Sequence, residues 1–419
     1  MAGELKAGAG VIDITPHIGV SLAGGLRARK STGIDTKLYA KSVVLDSGET
    51  AICFISVDLC VLGRDYVEVV TQIIRERTGI PPEHVMVAAS HTHAGPYTSP
   101  VFGAEADRDK DYLAILPRYI ADSATIAHQR LAPAQIGSAS GSEGTSGHYR
   151  RVRLKAGHVR NTWMKLDPDQ VVGPVGEIDP ELGVLLTRDM DGNATTIIYN
   201  YTLHANCHNN RALIDGSYPP RVAQLVEGEI GGTVLYTPGA CGNINPLGKP
   251  DGIARALADE ILRVVPKIKT SAKADLRARK ENVTLPLRDF SRCRIEAIRR
   301  DWPEGEDVFT EEWRILHEAG ETSVATSVQV LAINDTAFVA TPGELFVEIG
   351  REIKEQSPFE RTYVVELAND YVGYIPTRAA FEEGGYEVLD ARSSKVGPEA
   401  GDIVRDACVR LLHEVAGNG

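Results

Sequence analysis

The sequence predicts an α/β domain of mixed β-sheets flanked by helices. Three observations carry that reading. Apolar runs of strand length are joined by turns rich in Gly, Asp and Asn; an amphipathic helical stretch separates two such runs; and polar residues gather where several runs end.

The elements follow in order. "KLYAKSVVLDSGETAICFISVDLC" is two apolar runs around Asp46-Ser47-Gly48-Glu49, which has hairpin-turn composition. In "RDYVEVVTQIIRERTGIPPEHVMVAAS", Val67, Val70, Ile73 and Ile74 keep helical spacing, Gly79 closes the helix, and a second strand leads to His91. "LGVLLTRDMDGNATTIIYNYTLHANCH" reads as a hairpin turning at Asp191-Gly192, its second strand running up to His204. "YPPRVAQLVEGEIGGTVLYTPGACGNINP" gives a helix capped near Gly231, a short strand and a Gly-rich turn. "VLAINDTAFVATPGELFVEIGREIKEQ" gives a hairpin at Asn334-Asp335, a strand stopping at Pro342-Gly343 and a helix beginning near Glu344. "YVVELANDYVGYIPT" is a strand ending among Asn369, Asp370, Tyr371 and Tyr374. These polar residues lie past strand ends, where α/β sheets form their ligand crevices.

With 419 residues, 43% of them hydrophobic, and neither repeat nor linker in sight, a single domain over 1–419 is the simplest organisation. The charged stretch at about 286–325 reads as a surface excursion. A net charge of −12 with scattered basic residues argues against nucleic acid or an anionic membrane as partner. No window is apolar and long enough for a membrane span, and the N-terminus lacks a leader pattern, so a soluble, cytoplasmic chain is expected. Six cysteines without CxxC pairs read as reduced thiols. Homo-oligomerisation is left open.

The chemistry-bearing residues are individually weak signals. His91 and His93 at i and i+2 in extended chain point to opposite sides, so they share one metal only if the backbone turns, which Gly95 and Pro96 permit. The alternative divides the labour, one imidazole as ligand and the other as acid/base. His204 could equally be a histidine satisfied at a strand end, Glu344 a carboxylate in the first turn of a helix, and Tyr371 and Tyr374 packing residues. Cys207 and His208 offer a rival ligand pair.

Set in order, the segments "AGAGVIDITP", "DTKLYAKSVVLDSGE", "SHTHAGP", "IIYNYTLHANC", "GACGNINP", "TPGELF" and "YVGYIPTRAAFEEGGYE" resemble the catalytic domain of the neutral/alkaline, non-lysosomal ceramidase family. The family's His-Thr-His-Ser-Gly-Pro signature is matched as His91-Thr92-His93-Ala94-Gly95-Pro96. The resemblance implies a zinc site at His91, His204, Glu344 and Tyr374, with His93 as the substrate-side acid/base group and Arg150 and Tyr386 as further site residues. Two imidazoles and a carboxylate are a common catalytic zinc set, in which the pKa of bound water falls to about 7. The chain departs from the family where Gly-Asp-Val-Ser-Pro-Asn is expected: Gly242-Asn243-Ile244-Asn245-Pro246-Leu247 puts Asn245 at the serine position. A covalent serine mechanism does not transfer, although an asparagine amide can donate to an oxyanion. No counterpart of the family's C-terminal immunoglobulin-like domain is expected, and a membrane sphingolipid is accordingly expected to be a doubtful substrate. Arg150, Arg151 and Arg153 read as a carboxylate-binding fork or, equally, an exposed basic turn.

The expectation is a zinc-dependent hydrolase cleaving the amide bond of a soluble small molecule through water, with His93, Arg150, Tyr386 and Asn245 around the reacting carbonyl. A lactam, lactone or ester hydrolase and a zinc-assisted lyase are alternatives on the same site. A non-catalytic metal- or ligand-binding protein on a retired hydrolase scaffold is the alternative of another class.

Overall fold

One plan is used three times. Three strands run antiparallel in succession, a helix crosses over, and a fourth strand returns parallel to the third. The structure, a computed structural model, describes residues 2–99, 101–102 and 108–417. In the first sheet the strands are Lys6–Asp13, Tyr39–Asp46 and Ala51–Val57, the helix is Arg64–Thr78, and Val85–Ala89 returns. The second uses Gln135–Ser142, Glu181–Arg188 and Ala194–Tyr201, the helix Pro219–Ile230, and Thr233–Pro238. The third uses Leu276–Pro286, Ser323–Ile333 and Thr336–Ala340, the helix Val347–Glu355, and Arg361–Val365. Each sheet is followed by a long second helix: Lys110–Gln129, Pro250–Val264 and Ala400–Gly417. The mixed α/β architecture is the one the sequence predicts.

Inner faces of the three sheets meet in a common core that includes Phe54, Met86, Ile198, Leu235, Phe338 and Tyr363. The outer faces pack against the helices. A strand between two apolar layers must be apolar on both sides, so Val85–Ala89 is buried at every position and carries no polar alternation. Polar ties fix the sheets to each other: the Val87 amide donates to Asn369 Oδ1 at 2.9 Å, the Asn369 amide to Val87 O at 2.8 Å, and Asn200 Nδ2 to Val364 O at 2.9 Å.

The hairpins at Asp46–Glu49, Asp191-Gly192 and Asn334-Asp335 and the helix ends at Gly79 and Gly231 fall where the turn residues put them. Two expectations are corrected. The helix after Gly343 begins at Val347, not near Glu344: Glu344–Leu345 pairs in parallel with Tyr374–Ile375, and Asn243 Oδ1 accepts from the Val347 amide at 3.0 Å. The stretch at 286–325 is not confined to the surface. It forms the helices Ile295–Asp301 and Glu306–Ala319, buries Ile298 and Phe309 completely, and brings Trp302 to the wall of the main cavity. No helix among the described residues is long and apolar enough to cross a membrane. Cys53, Cys60, Cys207, Cys241 and Cys408 are buried free thiols, and Cys293 is a half-buried one.

Candidate metal centre and active site

Each sheet delivers one polar side chain past the C-terminal end of a strand, and the three meet. His91 follows Val85–Ala89, His204 follows Ala194–Tyr201, and Glu344 follows Thr336–Ala340. Their ligating atoms lie within 4.8 Å of one another, with exposures of 2%, 0% and 3%. Glu344 Oε2 stands 3.3 Å from both His91 Nε2 and His204 Nε2.

The tautomers explain what such a cluster lacks. His91 Nδ1 faces the Cys60 carbonyl at 2.8 Å and His204 Nδ1 the Cys241 carbonyl at 2.7 Å, so each Nδ1 carries the hydrogen and each Nε2 turns a lone pair inward. Tyr371 donates to Glu344 Oε1 at 3.0 Å, while buried Oε2 has no hydrogen-bond partner. Two imidazole nitrogens and a carboxylate oxygen converging in this way are a donor set that suits a cation. Burial opposes charge on His91, but the Glu344 carboxylate and Cys60 together outweigh it and raise His91 well above the ordinary imidazole value. Burial likewise opposes ionisation of Glu344, yet His91 and His204 hold it well below the usual carboxylate range. Burial, with Arg150 and His91 adding repulsion, lowers His204 to about 4. A proton on His91 thus answers the same demand that a metal ion would. The separations fit zinc as well, since ligands at about 2.0–2.1 Å from a tetrahedral ion are about 3.3–3.4 Å apart. The residues present therefore suit the ion.

His93 joins the cluster because the chain turns at His91 itself, whose φ is 66°; the two Nε2 atoms come within 3.2 Å instead of facing opposite ways. His93 Nδ1 is held by the Gly24 carbonyl at 3.0 Å, which leaves its Nε2 as an acceptor. Burial, then His91 and His204, push its pKa well down, so the ring is neutral. Gly24 is required at φ 85°, and a Cβ there would collide with the His93 ring.

Arg150 is 2% exposed; its Nε bonds Glu387 Oε1 at 2.8 Å, its Nη1 reaches both His204 Nε2 and Asn245 Oδ1 at 3.2 Å, and its Nη2 has no partner. An ion held by His204 would take the lone pair that Nη1 contacts. Asn245 sits in the short strand Ile244–Pro246, and its Oδ1 also receives Asn206 Nδ2 at 3.4 Å. Both contacts fall on the oxygen, so the Asn245 amide nitrogen is left to donate elsewhere. Tyr374 is paired in register with Glu344, lies under the Arg150 guanidinium at 5.3 Å, and packs edge-on to Tyr386 at 5.6 Å.

The other sequence suspects resolve differently. Arg151 is fully buried on Glu387 and Glu383, and Arg153 pairs with Glu383, so the run is neither an exposed turn nor a three-armed fork; Arg150 alone reaches the cavity. Cys207 bonds Ser217 Oγ at 3.2 Å and His208 bonds Asp215, so neither enters the His–His–Glu cluster. Sequence reasoning missed Glu387, which anchors Arg150, and Cys60, which touches His91; nothing in their spacing marks them.

His91, His93, Arg150, Asn245, Glu344 and Tyr374 open onto one cavity of about 660 Å³, whereas His204 is not part of its lining. Leu26, Val101, Phe102, Trp163, Trp302 and Tyr386 supply its apolar surface. A neutral ceramidase crystal structure from Pseudomonas aeruginosa superimposes over 98% of this chain and 75% of its own, with a TM-score of 0.72 and 17% identity. A ceramidase complexed with C2 superimposes over 99% of this chain and 76% of its own, with a TM-score of 0.75 and 17% identity. The fold is that of neutral ceramidase. The sequence of the Pseudomonas aeruginosa neutral ceramidase is 26% identical over 220 residues, 49% of this chain; the match spans 31% of that relative's length. No family model matches the sequence. In this chain the His–His–Glu cluster sits where a strand end from each of the three sheets converges.

Proposed function

We propose that the chain is a zinc-dependent hydrolase that cleaves the amide C–N bond of a small molecule. The observation that carries this reading is the convergence of His91 Nε2, His204 Nε2 and Glu344 Oε2 with no partner for Oε2. When bound there, zinc polarises a carbonyl and supplies activated water.

The chain's own groups cover the remaining tasks. His93 Nε2 accepts the proton of the attacking water and returns it to the departing nitrogen, because Gly24 keeps the ring hydrogen on Nδ1. Arg150 Nη2 and the Asn245 amide stand ready for the charge that develops on the carbonyl oxygen. Tyr371 fixes the Glu344 carboxylate, and Tyr374 stands beside it. The cavity has the size of a small-molecule site. With a carboxamide at position 245 that position offers no hydroxyl to acylate, and the reading takes direct attack by water as the route.

The test is hydrolysis of N-acyl amino acids, simple amides, lactams and esters by the zinc-loaded chain. Amine release from an N-acyl compound, abolished by a chelator and restored by zinc, is expected. Stoichiometric zinc without turnover of any carbonyl compound would make the chain a metal-binding protein on a hydrolase scaffold.

A further inference from the structure

Charge is distributed unevenly between the chain and its cavity. The chain holds 57 acidic and 45 basic residues, yet the charged side chains lining the cavity are Arg150, Arg211, Lys249 and Glu344. Glu344 belongs to the metal cluster and Arg150 to the reacting end. Arg211 and Lys249 remain, exposed on the solvent side of the cavity, with no ion-pair partner among the described residues.

His208 lines the same cavity. Its side chain is 1% exposed, Nδ1 is on Asp215 Oδ2 at 3.0 Å, and its buried Nε2 has no partner. Asp215 is itself immobile, receiving Thr36 Oγ1 and Arg221 Nη1 at 2.7 Å each and the Ser217 amide at 3.1 Å. Burial opposes its charge, but His208, Arg221 and Thr36 outweigh that and keep its pKa low. Asp215 also joins the turn that carries His93, its amide donating to Ala94 O at 3.1 Å and its carbonyl accepting from Thr92 Oγ1. A histidine oriented by an ionised aspartate is a built arrangement. The free nitrogen is the group such an arrangement positions.

A third feature lies on the same wall. The helix Pro250–Val264 starts at the cavity, with Gly248, Lys249 and Pro250 in its lining, and its N-cap residue Lys249 makes no side-chain cap. Its leading amides and dipole favour an anion. Its own first-turn Asp251 is engaged elsewhere, by Arg221 at 3.0 Å and Asn209 at 3.2 Å.

Resting on the amide-hydrolase reading above, we infer that His208, Arg211, Lys249 and the start of this helix form a subsite for a carboxylate. The substrate is then an amide with one apolar arm against Phe102, Trp163 and Trp302 and one carboxylate arm against this basic wall, as in an N-acyl amino acid. His208 Nε2 meets the carboxylate while Nδ1 stays on Asp215, and Arg211 and Lys249 supply longer-range attraction that salt weakens.

The test is binding without turnover. Calorimetric affinities of N-hexanoylglycine and N-ethylhexanamide, which share the acyl arm and the amide, are compared on chelator-stripped protein. The carboxylate should bind at least about tenfold more tightly at low salt, the sum of a few partly exposed charge contacts. The ratio should collapse toward one in Arg211→Met/Lys249→Met, fall in His208→Gln, and shrink with added salt in the wild type. Equal affinities, undetectable binding of both compounds at millimolar concentration, or a ratio that survives both variants would overturn the subsite. Selective binding of the carboxylate by a chain that turns over neither compound when zinc-loaded would sink the hydrolase reading and leave the subsite standing.

Discussion

His91 adopts φ 66°, a left-handed backbone that disfavours a side chain with a Cβ. It is held there by its amide on the Leu59 carbonyl at 2.9 Å and its ring on the Cys60 carbonyl at 2.8 Å. That one residue turns an i, i+2 pair into neighbours, with His91 and His93 Nε2 3.2 Å apart. The His-Thr-His spelling was legible as a strand-end pair, but its meeting was not, because extended geometry sends the two rings to opposite faces. The strain is compensated by local bonds that no spacing reveals. Gly24 carries the consequence on the opposing loop. Gly24→Ala should displace the His93 ring and lower turnover by about 10²–10⁴-fold, the range for a lost proton-transfer group, while bound zinc is kept. Kinetics beside metal analysis of the same sample check it, and near-normal turnover would leave His93 without a proton-transfer role.

At the scale of elements, strands and turns could be read because doubly buried strands are continuously apolar and their turns need Gly, Asn or Asp. Charged partners far apart in sequence could not. The run Arg150-Arg151 reads from sequence as a carboxylate-binding fork or an exposed basic turn, whereas Glu387, 0% exposed, holds both arginines at 2.8 Å, with Asn161 Nδ2 at 2.6 Å. The start of the helix at Val347 was hidden for the same reason, since its cap is Asn243 from another element. Two buried guanidinium groups share the Glu387 carboxylate. Removing one partner of a buried pair leaves the other charge uncompensated, so Glu387→Ala should cost about 3–5 kcal/mol. Urea denaturation measures this, and a loss below about 1 kcal/mol would mean that water or Glu383 already neutralises the arginines.

Across the whole molecule, the threefold use of one strand–helix plan places the ends of three sheets at one point, although the sequence shows no repeat. What recurs is a hydrogen-bonding pattern on different residues. Glu366 lies at that junction: its amide bonds Pro238 O of the second sheet, and its carboxyl accepts from the Cys241 amide and thiol at 2.9 Å each. Burial raises it to about 8. The folded chain therefore holds this proton more tightly than the unfolded chain, whose glutamate titrates near 4.5. The stability it contributes is full below about pH 4.5 and is lost as pH rises through about 8. Glu366→Gln should flatten the fall in denaturation midpoint between those values, and an unchanged slope would assign the fall to other groups. The account stands first on the metal. Zinc content after loading and gel filtration should be about one ion per chain in the wild type and in His93→Ala, and close to none in folded His204→Ala; full occupancy in His204→Ala, or none in the wild type, would contradict it.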